Sequence, residues 1–127
     1  MRILGIDYGY RKIGLAIAET GLAEPFIVVH VNSEEEAIEK LSKIAKEERI
    51  EKIVVGVSEG KMGKDSELFG KKLRENLGTP VEFEDETLSS RDSQRLSIAA
   101  GLSRKKRKQM EDAFAAAVML QSYLERR

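Results

Sequence analysis

Cysteine is absent from the 127 residues, histidine occurs once, and no long hydrophobic run is present. The missing cysteine excludes disulfides and thiolate metal sites. The lone histidine excludes His-rich zinc centres. That residue, His30, shares a strand face with Phe26 and Val28, so it is expected to be packed, which leaves none for serine–histidine catalysis. No apolar stretch approaches the roughly 20 residues that cross a bilayer, so no membrane partner is expected. No signal-peptide pattern precedes the first apolar segment, which makes a cytoplasmic location the expectation. Net charge is missing too, because 22 basic residues balance 22 acidic ones; the distribution of charge has to decide about nucleic acid. Repeats, low-complexity tracts and linkers are lacking, and the length suits one domain, residues 1–127, and not two. Abundant Glu, Lys and Arg with scarce Asn and Gln resemble heat adaptation.

What is present concentrates at the start. Arg2-Ile3-Leu4-Gly5-Ile6-Asp7-Tyr8-Gly9 is an apolar strand running into an aspartate and then a turn glycine. A carboxylate at the end of a buried strand is held rigidly while still facing solvent, as a ligand for a divalent cation must be. Asp followed by Gly is also ordinary turn chemistry, so Asp7 alone leaves both readings open. A second strand over 12–18 alternates Ile13, Leu15 and Ile17 with Gly14, Ala16 and Ala18, which predicts different packing layers on its two faces. Pro25 opens a third strand over 26–31, and Gly21 between the two predicts an antiparallel meander. Ser33 and Glu36 form a capping box before a helix with Ala37, Ile38, Leu41, Ile44 and Ala45 on one face. A strand over 53–57 follows, then a loop over 58–64 holding Gly60 and Gly63. The next helix runs from about Ser66 with Leu68, Phe69, Leu73 and Leu77, and stops at Gly78. After Pro80 comes a strand over 81–84. A short helix capped by Ser89 or Ser90 ends near Gly101, and a last helix spans about Arg107 to Tyr123. Helical crossovers imply parallel pairing. The expected class is α/β, a mixed five-stranded sheet with helices on both faces.

Three acidic positions fall where such a sheet would gather them. Asp7 ends the first strand, Asp85-Glu86 end the last, and Asp112 lies early in the last helix. Parallel strands end on one sheet edge, which is where open α/β sheets bind ligands. Asp112 is surrounded by Ala113, Ala115, Ala116 and Ala117, small residues that let a helix approach the sheet; a helix-start aspartate is the plainer reading. Alternation puts Asp85, and not Glu86, on the face of Val81 and Phe83, so Asp85 is the alternative ligand. Converging carboxylates favour Mg²⁺ or Mn²⁺, and two such ions about 3.5–4 Å apart hydrolyse phosphodiesters without histidine or cysteine. Arg104-Lys105-Lys106-Arg107-Lys108 are five consecutive cations. They are disfavoured at a helix N-terminus, so either they lie in a loop or they contact a phosphate backbone. Arg11 and Lys12, Lys61 and Lys64, and Arg91 and Arg95 extend that surface. Tyr8 and Tyr10 flank Asp7, where stacking on bases and packing are both open.

With these motifs in order, the chain resembles the YqgF-type (RuvX) Holliday junction resolvases, also described as pre-16S ribosomal RNA nucleases, of the ribonuclease H-like superfamily. The resemblance rests on Gly5-Ile6-Asp7-Tyr8-Gly9 with Arg11-Lys12-Ile13-Gly14, on Val54-Val55-Gly56-Val57, on Asp85-Glu86-Thr87-Leu88-Ser89-Ser90, and on Asp112-Ala113-Phe114-Ala115-Ala116. It implies strand order 3-2-1-4-5 with strand 2 antiparallel. It also implies that Asp7, Glu86 and Asp112 are catalytic and hold the metals. The implied activity is a metal-dependent endonuclease on structured RNA or branched DNA, a monomer or homodimer that trims the 5′ end of pre-16S rRNA or resolves Holliday junctions. A non-catalytic nucleic-acid-binding module on the same fold is the alternative. Two departures stand out: Ser58 where the family has proline, and Thr87 where it has arginine, whose role would pass to a neighbour such as Arg91.

Overall fold

The computed structural model describes residues 1–86 and 101–126. Strands β1 (Ile3–Asp7), β2 (Lys12–Ala18) and β3 (Ala23–His30) form the antiparallel meander. Helix α1 (Glu34–Glu47), β4 (Lys52–Val57), α2 (Gly60–Leu77) and β5 (Val81–Asp85) then alternate, and α3 (Arg104–Glu125) follows. The sheet order is β3-β2-β1-β4-β5, with β1 antiparallel to β2 and parallel to β4, and β4 parallel to β5. The predicted class and order are both found. Among the described residues no helix is long and apolar enough to cross a membrane.

The two faces of the sheet differ by residue parity. Leu4, Ile6, Ile13, Leu15, Ile53, Val55 and Val81 face α1 and α2, where they bury Leu41, Phe69 and Leu73. Ile3, Ala16, Ala18 and Val54 face α3 and pack on Ala116, Ala117, Met119, Leu120 and Tyr123. Each fully buried aliphatic side chain contributes about 1.5–3 kcal/mol, against about 0–1 kcal/mol for an exposed ion pair. The two apolar layers, and not the surface charges, therefore hold the sheet. The α3 side is built from small residues. A Cβ on Gly5 would lie 2.9 Å from Leu120 Cβ, so the helix rests almost on the strand backbone.

Several local expectations change. Helix α2 starts at Gly60, not near Ser66. Its glycines mark an abrupt entry instead of a loop: Gly60 has φ +76°, and a Cβ on Gly63 would strike the Ser58 carbonyl at 1.9 Å. Helix α3 starts at Arg104, so the basic run is helical. Ser103 Oγ accepts from Lys106 N–H at 3.1 Å; a cap of this kind contributes about 1 kcal/mol, enough to offset the roughly 0.3–1 kcal/mol dipole penalty of a cation. In the α1 box Ser33 Oγ accepts from Glu36 N–H, but Glu36 accepts from Asn32 N–H, one residue further out than the reciprocal pattern. His30 is exposed at the end of edge strand β3, not packed; a bulge opposite Leu15/Ala16 shifts the register at Phe26, so His30 no longer follows the apolar face. Leu68 is 54% exposed and lies outside the apolar face of α2. The predicted short helix before Gly101 falls on residues 87–100, outside the described residues, as do Thr87, Arg91 and Arg95.

Candidate active site at the carboxyl edge of the sheet

Asp7 is the last residue of β1 and lies directly opposite Gly14 of β2. The space that a side chain on Gly14 would need is occupied by the backbone of α3: a Cβ there would stand 1.9 Å from the Asp112 carbonyl oxygen and 2.8 Å from Ala113 N. Gly14 thus draws the start of the alanine-rich segment of α3 onto the sheet beside Asp7. Glu86 arrives from the other flank. Its N–H donates to the Val57 carbonyl at 3.2 Å, continuing the β4–β5 ladder one residue past β5. Its carboxylate lies over Gly56, where a Cβ would come 2.4 Å from Oε2.

Asp7 and Glu86 are hydrogen-bonded to each other, with Asp7 in the role of the protonated partner. The Asp7 pKa is pushed up to about 8, first by burial, then by the charge and hydrogen bond of Glu86, then by the charge of Asp112. Burial also raises Glu86, as does the nearby Asp85, while the hydrogen bond from Asp7 works in the opposite direction. Two carboxylates held this closely do not both ionise unless a cation joins them. Asp112 joins the cluster by charge, and its Oδ2 is 3.6 Å from Lys12 Nζ. Among the described residues no three acids form a ready-made metal cage. The donors gathered here are all carboxylate oxygens, the set that hard divalent cations take.

Parity decides between the two acids at the end of β5. Residues 81, 83 and 85 face α2, where Phe83 occupies the space beside Gly70. Residues 82, 84 and 86 face α3: Glu82 accepts from the Tyr123 hydroxyl at 2.9 Å and Glu84 from Ser122 Oγ at 3.2 Å. The alternation that set Glu86 apart from Val81 and Phe83 is therefore what turns it toward Asp7, and Asp85 is exposed.

The basic residues are distributed around this edge. Arg11 and Lys12 are exposed in and after the β1–β2 turn. Lys61 and Lys64 are exposed on the first turns of α2, with Lys61 Nζ 2.9 Å from Asp65 Oδ2. Arg104, Lys105, Lys106 and Lys108 are exposed on α3, and Arg107 is half-buried. The tyrosines separate. Tyr8 is buried and stacked on Phe69 with centroids 4.3 Å apart, whereas Tyr10 is exposed. The sequence reading missed Gly14 and Gly56 as the seats that admit Asp112 and Glu86. The signal was there: Gly5, Gly14 and Gly56 are small residues at positions of matched parity in three adjacent strands.

This fold and edge define a class. The structure superposes on the Thermus thermophilus RuvC chain in complex with Holliday junction substrate with a TM-score of 0.68, covering 99% of this chain and 96% of that one at 16% identity. It also superposes on the fowlpox virus resolvase in complex with Holliday junction DNA, with a TM-score of 0.69, 99% and 98% coverage and 14% identity. At these identities the likeness establishes the ribonuclease H-like fold. Within that class the chain belongs to the RuvX family, described as Holliday junction resolvase, whose model matches residues 1–126. A Bacillus cytotoxicus relative named "Putative pre-16S rRNA nuclease" is 39% identical over 135 residues, spanning 98% of both chains. A Caldanaerobacter subterraneus relative of the same name is 38% identical over 134 residues, spanning 98% of this chain and 96% of its own.

Proposed function

We propose that this protein is a divalent-metal-dependent endonuclease that hydrolyses phosphodiester bonds of structured nucleic acid, with the 5′ end of pre-16S rRNA as its substrate. The observation that carries the reading is Asp7 pressed against Glu86 and raised to about 8 beside Asp112. Clustered carboxylates holding divalent ions hydrolyse phosphodiesters with neither cysteine nor histidine. Asp7, Glu86 and Asp112 are the residues that would hold Mg²⁺ or Mn²⁺. When bound, a pair of such ions supplies an activated water and a counter-charge for the leaving oxygen.

The chain's own residues do the positioning. Asp7 is fixed by its place in the β1–β2 and β1–β4 ladders, and Glu86 by its N–H bond to Val57. Asp112 is set by the contact of its own carbonyl with Gly14. Lys12 balances the Asp112 carboxylate. Arg11, Lys61, Lys64 and the 104–108 run supply cations for the phosphate backbone.

The test is cleavage of a pre-16S 5′ leader RNA and of a four-way DNA junction, in Mg²⁺ or Mn²⁺, by the native chain and by Asp7→Asn. The RNA is expected to be cut by the native chain alone. Full activity in the variant would remove the mechanism. The family description favours the junction as a second reading, and preferential cutting of the DNA would select it.

A further inference from the structure

Tyr10 stands out on the surface because it is both exposed and fixed. An isolated exposed aromatic is ordinary. This one, 51% exposed, is tethered on several sides. Its hydroxyl donates to Asp65 Oδ2. Lys61 Nζ donates to the same hydroxyl at 3.4 Å and sits 5.6 Å from the ring centroid. The buried ring of Tyr8 meets it edge to face at 6.0 Å and is itself stacked on Phe69 of α2. Asp65 and Lys61 are one turn apart on α2, and Lys61 Nζ bonds both Asp65 and Tyr10. The β1–β2 turn is thereby fastened to the start of α2, and the ring is held three residues from Asp7.

The packing of the chain does not require this arrangement. Tyr8 already fills the apolar layer, and Tyr10 belongs to neither core cluster. A tyrosine whose rotamer freedom has been spent on folding presents a rigid face to solvent, and little more ordering cost is due when a flat partner lands on it. Lys61 flanks it with charge, Lys64 is exposed one turn beyond Gly60 on the same helix, and Leu68 continues the Lys61–Asp65 face of α2, 54% exposed. Ring, cations and leucine beside a carboxylate edge are the parts of a single-strand stacking platform.

We infer that Tyr10 is the stacking platform for an unpaired base next to the scissile phosphate, so that the enzyme selects nucleic acid with a splayed nucleotide over continuous duplex. This rests on the nuclease reading above and adds a substrate feature to it. Asp65 and Lys61 act as positioning residues for the ring.

The probes are an RNA stem-loop and a four-way DNA junction, each with 2-aminopurine at its unpaired or junction-flanking positions in turn, and fully paired duplexes of matched length. Binding is measured in EDTA by anisotropy, and stacking by quenching of the 2-aminopurine. The native chain is expected to quench at one position of the RNA or of the DNA, and the responding probe identifies the source of the base. Tyr10→Ala is expected to abolish quenching and weaken that probe's binding about tenfold, the size of one base–aromatic stack, with duplex binding unchanged. Tyr10→Phe keeps the ring and its edge-to-face contact with Tyr8 but loses both hydroxyl ties, and is expected to retain part of the quenching and to weaken that probe's binding less than Tyr10→Ala does. Unaltered quenching in Tyr10→Ala, or an equal loss on duplex, would overturn the inference. If the native chain cleaves RNA with metal and Tyr10→Ala binds every probe normally, the platform alone fails. If the native chain binds none of them, the nuclease reading fails with it.

Discussion

The α3-facing side of β5 carries a row of glutamates at alternate positions, and its two ends are treated differently. Glu84 is 4% exposed and is matched with what a buried carboxylate needs: an ion pair with Arg126 and a hydrogen bond from Ser122. Glu82, one step further from the edge, accepts from Tyr123 and pairs with Lys52 at 2.8 Å. Glu86, two residues beyond Glu84 on the same face, meets Asp7, which is another acid. Cations are not scarce in this protein, so the contrast is one of placement. Where the acids tie α3 to the sheet, charges are matched within the chain. At the carboxyl edge, carboxylates are set against one another and burial opposes their ionisation. Such an arrangement costs stability unless something from outside neutralises it.

The largest expected difference follows from mutating each end. Asp7→Asn removes a group that would hold the metals, and cleavage is expected to fall at least about 100-fold. In the same variant the metal-free protein at pH 9 gains thermal stability, because a buried carboxylate beside Glu86 no longer ionises. Glu84→Gln does the reverse. It leaves Arg126 without its carboxylate at a partly exposed site, for a loss of about 1–2 kcal/mol, or about 2–8 °C in Tm, while cleavage stays within about twofold of native. Thermal unfolding and initial rates on the two variants check both signs. An Asp7→Asn protein that cleaves like the native chain, or that is less stable than it at pH 9, would erase the distinction between the ends.

Next in size is Gly14→Ala. The added Cβ would meet the Asp112 carbonyl, which is backbone and cannot swing aside. Overpacking of this kind costs about 1–3 kcal/mol or more, and here it also moves Asp112 away from Asp7. Gly56→Ala meets the Glu86 carboxylate and Met119 Cγ, both side-chain atoms that yield more cheaply. The expected order of damage to stability is therefore Gly14→Ala above Gly56→Ala, with cleavage lost in both. Urea midpoints and rates measured side by side would show whether the glycines seat the acids as described.

That order also shows which parts of the molecule were readable from residues. The crossovers gave the parallel pairing of β1, β4 and β5, the strand order itself came from the family resemblance, and the large-and-small alternation of β2 correctly announced different layers on its two faces. Asp112 was approached through its alanines, yet half of the close contact is made by Gly14, whose role appears only once β2 and α3 are placed together. Alternation along β5 separates Glu86 from the apolar α2 face, which in the sequence made Asp85 the fallback to Glu86; in the fold it is the opposite face on which Glu86 meets Asp7. Glycines at the start of α2 were misread as loop signals, and the last helix was begun near Arg107, three residues late, with the basic run left open between a loop and a phosphate contact. Close backbone contact at Gly63 and the Ser103 cap are tertiary and local hydrogen-bonding facts that outweigh propensity. His30 was misplaced by a bulge, which shifts parity without a mark in composition.

The carboxyl edge also sets the response to pH. The unfolded chain releases the Asp7 proton near 3.8, and the folded chain holds it to about 8. Between those values the folded state binds more protons, so stability falls as pH rises. The contribution is fully present below 3.8 and gone above about 8. Thermal unfolding in EDTA from about pH 5 to about pH 9 is expected to decline in the native chain, with a flatter profile in Asp7→Asn. Metal runs the other way: because binding displaces that proton, Mn²⁺ affinity measured by calorimetry rises about tenfold per pH unit up to about pH 8 and then levels. An affinity indifferent to pH would mean that Asp7 is not a ligand.

The smallest effect concerns α3 itself, whose C-terminal Arg126 serves the matched end while its first turns serve the edge. Successive residues of a helix turn by about 100°, so the five cations of 104–108 do not face one strand together. Lys108 and Lys105 stand four and seven residues before Asp112, on its side of the helix. Lys106 points away, with its N–H engaged by Ser103. Removing one cation from a phosphate lowers the slope of log affinity against log salt by about 0.7 on single strands and about 0.9 on duplex DNA. Lys105→Ala and Lys108→Ala are each expected to lower the slope by that much, and Lys106→Ala to leave it within error. Equal slopes for all three would mean that the run acts as a diffuse cloud of charge, and that α3 aligns the acids without aligning the strand they cut.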